Sequence, residues 1–122
     1  MSNANSTEFN DKTPHPVVVY QDEISRDTLG GNMRLGLKEV EVDIDSIAFQ
    51  CYEKELIDER FRHRYVFNTK YEESYREKMF VNKDIMELRD HPFCIGVQFH
   101  PEFLSRHETG HPLFVEFLKR GC

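Results

Sequence analysis

The chain has 122 residues, 39% of them hydrophobic and 31% charged, with a formal net charge of −6. This length suits one small domain with a moderate core, and the acidic balance argues against a nucleic-acid binder. No run approaches the roughly 18 apolar residues of a membrane span, which argues against a membrane partner.

The first 16 residues, with Pro14 and Pro16, read as loop, and their polar character lacks the apolar centre of a signal peptide. A short β-branched run, 17–20, follows, and then a polar stretch leads to a turn at Gly30-Gly31. Residues 33–44 alternate in two registers, Met33, Leu35 and Leu37 against Val40, Val42 and Ile44. That shift implies a bulge or turn near Lys38 and Glu39. Residues 46–61 have helical spacing, 64–68 read as a strand and 70–78 as a polar helix. Residues 78–90 read as a hairpin turning at Asn82-Lys83-Asp84. The almost continuous apolar run 93–99 predicts a strand covered on both faces. Residues 111–120 place Leu113, Phe114, Phe117 and Leu118 on one helical stripe, with Lys119 and Arg120 near its end.

Three groups of residues carry chemistry. His100 and Glu102 flank Pro101 directly after the apolar strand. In an extended chain, residues two apart point to one side, about 6.5–7 Å apart, and the proline stiffens that conformation. Glu102 is then placed to fix the tautomer of His100 and stabilise its protonated form, as the acid of a catalytic triad does. The plain alternative is an exposed His and Glu in a surface turn. Arg60, Arg62, His63 and Arg64 form a short basic cluster. A guanidinium there could bind a carboxylate bidentately, or the cluster could be the charged edge of a solvated strand. The six histidines form no i,i+4 pair on a helix, His107 and His111 being interrupted by Gly110, so no metal site is expected.

The nucleophile is harder to find. Cys51, Cys94 and Cys122 are odd in number and scattered, which suggests neither a disulfide framework nor a zinc site, and a reducing cytosol is the expected compartment. A triad nucleophile sits on a sharp strand-to-helix elbow bordered by glycines. Cys51 is expected mid-helix, Cys94 buried within its strand, and Cys122 is the last residue. No serine has the G-x-S-x-G context. The nucleophile is expected to lie outside this chain.

"NANSTEF" (3–9), "GGNMRLG" (30–36), "RHRY" (62–65), "DHPFCIGVQFHPEFLSR" (90–106) and "HPLF" (111–114) occur in this order. Together they resemble the glutamine amidotransferase domain of the CTP synthase family, from residue 3 to residue 118. The resemblance implies a three-layer α/β, flavodoxin-like, class I glutamine amidotransferase domain. Residues 1–122 would be its C-terminal portion, without the nucleophile elbow and without the synthetase domain. It also implies a Cys-His-Glu triad in which His100 is the base and Glu102 its acid partner. Glu8 and Arg64 match the residues that bind the amino-acid end of glutamine. No cofactor is implied for this chain; ATP, Mg and UTP belong to the synthetase domain, which uses the released ammonia to make CTP. The full-length protein would be a cytoplasmic homo-oligomer. Asn32, Val66 and a short segment after Asn68 depart from the family's pattern. The expectation is a truncated form or partial gene product, inactive on its own. A catalytically dead interaction or regulatory module, or another class I glutamine amidotransferase, are the alternatives.

Overall fold

The computed structural model describes residues 2–20 and 34–121; the expected Gly30-Gly31 turn, Met33 and Cys122 lie outside these residues. The described residues form three small sheets and three helices. The amino-terminal stretch is more ordered than a loop. Its strand β1 (Ala4–Ser6) runs parallel to β2 (His15–Tyr20), and β2 pairs antiparallel with β5 (Tyr65–Phe67). Polar groups hold the intervening turn: the Thr13 hydroxyl donates to the Asn3 carbonyl, and the Phe9 and Asn10 N–H groups both donate to the Ser6 carbonyl. Hydropathy does not register such bonds.

β3 (Arg34–Glu41) pairs antiparallel with β4 (Leu56–His63), and this ladder organises the molecule. Its register runs unbroken from Arg34 opposite His63 to Glu41 opposite Leu56, so there is no bulge at Lys38 and Glu39. The two apolar registers are two faces. Leu35 and Leu37 are exposed, whereas Val40 and, just past the strand, Val42 are buried.

The helix expected over 46–61 is only α1 (Ile47–Tyr52). Ser46 caps its start by accepting from the Phe49 N–H, and Glu53 ends it in the left-handed region at φ 55°. From Leu56 the chain alternates strictly, with Ile57, Glu59 and Phe61 buried and the residues between them exposed. A spacing of four between Ile57 and Phe61 satisfies helix and strand periods alike, and pairing with β3 decides for the strand.

After β5, a 3-10 turn at 69–71 leads into α2 (Glu72–Tyr75), shorter than the expected 70–78. The hairpin of β6 (Met79–Asn82) and β7 (Ile85–Leu88) turns at residues 83 and 84, within the expected segment. Among the described residues, β8 (Ile95–Val97) pairs only with β7, at the sheet's edge. It is therefore neither seven residues long nor covered on both faces; Gly96 and Cys94 are exposed. Its apolar run feeds the core through Phe99, beyond the strand's end.

The core comprises Val40, Val42, Ala48, Ile57, Phe61, Ile85, Phe99 and Leu113. α3 (Pro112–Gly121) contacts α1 and sends Leu113 into the core, where it joins Val40 of β3 and Ile57 and Phe61 of β4. Much of its apolar stripe faces solvent: Phe117 is 59% and Leu118 64% exposed. Arg120 ties it down, donating to the Pro92 carbonyl at 2.6 Å and the Gln50 Oε1 at 2.7 Å. Among the described residues, no helix is long and apolar enough to cross a membrane.

Glu87 of β7 is buried because it caps α1. Its two carboxylate oxygens accept from the Ile47 and Ala48 N–H groups at 2.8 and 2.7 Å. These bonds satisfy two donors that have no partner within the helix and place an anion at its positive end. Glu87→Ala is expected to lower stability by about 2–4 kcal/mol, since hydrogen bonds to charged groups contribute roughly 1.5–3 kcal/mol each and are partly replaced by water. Urea denaturation measures it, and Glu87→Gln, which keeps one acceptor, should recover part of the loss.

Candidate active site

The segment after β8 is fixed by β4. The His100 N–H donates to the Arg60 carbonyl at 2.8 Å, which lays the start of this segment along the free side of the strand. His100 is extended, at φ −107° and ψ 90°, and Pro101 then opens a 3-10 turn over Pro101–Phe103. The His-Pro-Glu stretch is thus turned, not extended as the sequence suggests. Proline at the first position of a helical turn needs no N–H partner, so the chain tightens there at little cost.

The turn still joins the pair. His100 Nδ1 lies 2.7 Å from Glu102 Oε1, with the two side chains 38% and 54% exposed. The hydrogen bond to His100 holds the Glu102 carboxyl below its usual range, helped by its own backbone N–H. An ionised carboxylate only accepts, so Nδ1 carries the proton, and in the neutral form of the ring Nε2 keeps its lone pair. Beneath the ring lies Phe103, stacked at 4.9 Å between centroids and 23° between planes. This contact fixes the plane of the imidazole and was not legible from residue spacing.

Glu8 and Arg64 lie at one end of the first sheet. Glu8 follows β1, where the Thr7 N–H donates to the Val18 carbonyl; Arg64 immediately precedes Tyr65, which pairs with Tyr20. The outer strands carrying them are two strand spacings apart, each about 4.8 Å. Both residues are exposed, and among the described residues neither bonds to His100 or Glu102. Arg64 follows the end of β4, four residues on from the carbonyl that anchors His100.

The two described cysteines have different surroundings. Cys51 lies in α1, its thiol pushed up to about 11 by burial first and by the Glu116 charge second. Cys94, expected to be buried, is exposed ahead of the edge strand and has no helix behind it.

A second histidine–carboxylate pair is anchored one residue earlier on β4. Glu59 of β4, 1% exposed, accepts from His111 Nε2 at 2.5 Å and from the Tyr52 hydroxyl at 2.6 Å. Sequence reasoning gave these residues no role. The signal was present in the strand alternation, which sets Glu59 on the inward face between Ile57 and Phe61.

The family model for class-I glutamine amidotransferases matches residues 10–120. The chain belongs to this family. Among curated relatives of this amidotransferase, the CTP synthase of Aquifex aeolicus is 44% identical over 99% of the chain, and that of Caldanaerobacter subterraneus 43% over 98%. The CTP synthase of Methanothermobacter thermautotrophicus is 40% identical over 98%. The chain spans 24% of the length of each. Among solved structures, the glutaminase domain of Trypanosoma brucei CTPS with bound acivicin superposes with a TM-score of 0.86 at 34% identity. That match covers 98% of this chain and 50% of the other. The chain therefore has the class I amidotransferase fold and covers part of that domain.

The depressed Glu102 carboxyl has a direct consequence. Its contribution to stability is complete above the usual carboxyl range and is lost as pH falls through the depressed value. A carboxyl-carbon NMR titration of this amidotransferase should give Glu102 a midpoint below that of an ordinary glutamate. His100→Ala should raise it towards the ordinary value. An unchanged midpoint would show that the pair does not form in solution.

Proposed function

We propose that the chain is the C-terminal portion of a CTP synthase glutaminase domain and carries the His-Glu half of its triad. The observation that supports this most is the 2.7 Å contact between His100 Nδ1 and Glu102 Oε1, at a segment anchored to β4. Through that contact Glu102 orients the ring and stabilises its protonated form, while Nε2 acts as base.

In the proposed reaction, a thiol from outside these 122 residues gives its proton to His100 Nε2. The sulfur attacks the carboxamide carbon of glutamine. As the C–N bond breaks, the imidazolium returns the proton to the leaving nitrogen and ammonia departs, leaving a glutamyl thioester. Water, deprotonated by the same ring, hydrolyses the thioester to glutamate and restores the thiol. Glu8 takes the α-ammonium of glutamine and Arg64 its α-carboxylate, charges that match in sign. Ammonia then passes to the synthetase domain of the same protein, where UTP is activated with ATP and Mg and converted to CTP. We assign no residue of this chain to ATP, Mg or UTP. The whole protein would act in the cytosol, as a homo-oligomer. The exposed Phe117 and Leu118 of α3 favour a second reading, a silent interaction module that has lost its chemistry.

Ammonia release separates the two readings. The 122-residue chain alone should release none from glutamine above background, and a glutamine-analogue alkylating agent should leave its intact mass unchanged. A stoichiometric adduct on Cys94 or Cys51 would overturn the assignment of the nucleophile. Joining an upstream amidotransferase segment with its elbow cysteine should produce glutamine hydrolysis. There, His100→Ala should lower kcat by at least about 100-fold, as expected for loss of a general base, and Glu102→Ala by less. Continued silence of the extended chain would favour the interaction module.

A further inference from the structure

The segment 100–111 begins and ends on two consecutive residues of β4. At its start the His100 N–H is held by the Arg60 carbonyl; at its end His111 Nε2 is held by the Glu59 carboxylate. Between them, the His111 N–H donates to the Ser105 Oγ at 3.2 Å and the Arg106 N–H to the Thr109 carbonyl at 3.1 Å. It is a compact loop closed at its base, of the kind that presents functional groups from a rigid frame.

The chemistry at its base is defined. The Leu113 N–H donates to His111 Nδ1 at 3.2 Å, so Nδ1 is the acceptor and Nε2 bears the proton. His111 is thus a neutral ring that donates to Glu59, and Tyr52 supplies a second donor to the same oxygen. Leu104, directly after the 3-10 turn, shares the walls of a cleft of about 480 Å³ with Tyr52, Ile57, Glu59 and His111. A loop released at its base has that space to move into.

We propose that Glu59 and His111 are positioning residues for the His100–Glu102 pair, with Tyr52 holding the Glu59 carboxylate in place. The proposal rests on the reading of that pair as base and orienting acid. Neither residue touches the reacting atoms; they act by closing the loop, which fixes the ring of His100 relative to Glu102.

The test is ¹⁵N NMR of the whole 122-residue chain with labelled histidine, near neutral pH, where ring nitrogen shifts report the tautomer of each residue. His100 should be an Nδ1–H tautomer and His111 an Nε2–H tautomer. The double variant Glu59→Leu/His111→Asn removes the tie and the buried charge together. Its asparagine can still cap α3 by accepting from the Leu113 N–H. In it, the ratio of Nδ1–H to Nε2–H forms of His100 should fall at least fivefold. His111→Asn alone, which keeps Glu59 and its Tyr52 bond, should cause the same fall and serves if the double variant does not fold. Tyr52→Phe removes one of the two donors to Glu59 but leaves the Glu59–His111 bond, and should lower the ratio by less than either of these variants. An unchanged His100 tautomer in a folded variant lacking the tie would overturn the positioning role alone. A wild-type His100 without the Nδ1–H signature would overturn the reading of the pair as well.

Discussion

A carboxylate buried to 1% exposure, Glu59 on β4, constrains much of what surrounds it. An ionised group withdrawn from water costs several kcal/mol unless donors replace the solvent. Here both donors, Tyr52 and His111, converge on Oε1, and Oε2 has no hydrogen-bond partner among the described residues. Tyr52 is the last residue of α1 and His111 immediately precedes α3. One side chain therefore ties the end of one helix to the start of the other. The phenol of Tyr52 is pushed up by burial first and by the Glu59 hydrogen bond second, so it stays protonated and donates.

Glu87 does the complementary work at the other end of α1. Its carboxylate accepts from the first two N–H groups of that helix, from a strand of a different sheet. α1 is thus strung between two buried carboxylates, one on β7 and one on β4. A helix of six residues is too short to be stable by propensity. Its position is owed to charged groups that would be costly to strand, as well as to its single fully buried residue, Ala48.

Which parts were legible in the sequence follows from the range of the signals. The β6–β7 hairpin and α3 depend on local turn and periodic patterns, and both stand near their expected places. The long helix over 46–61 failed because Ile57 and Phe61 fit two periods at once, and only the partner strand, some twenty residues earlier, distinguishes them. The run 93–99 was read as interior because apolar content cannot say how many faces are covered. In the fold, Phe99 reaches the core while Cys94 stays exposed. The contact between His100 and Glu102 was legible because they lie two residues apart. Glu59 and His111 are 52 apart, and no local pattern links them. The stacking of Phe103 depends on a 3-10 turn that an extended reading of His-Pro-Glu does not contain.

The two histidines show how one dipeptide yields two chemistries. His100-Pro101 and His111-Pro112 both place histidine directly before a proline that opens a helical turn. In each case the histidine is positioned to cap that turn with Nδ1. At His111 the cap forms: Nδ1 accepts from the Leu113 N–H, and Nε2 must donate inward to a buried acid. At His100 no side-chain cap forms, because Glu102, within the turn itself, draws Nδ1 as a donor. Among the described residues, His100 Nε2 makes no hydrogen bond. The outcome turns on which residue lies two positions on. A leucine leaves only its backbone N–H to meet Nδ1, and the ring becomes a structural donor; a glutamate reverses the tautomer of the neutral ring. Two opposite tautomers thus arise from the same local motif, told apart by the residue two positions on.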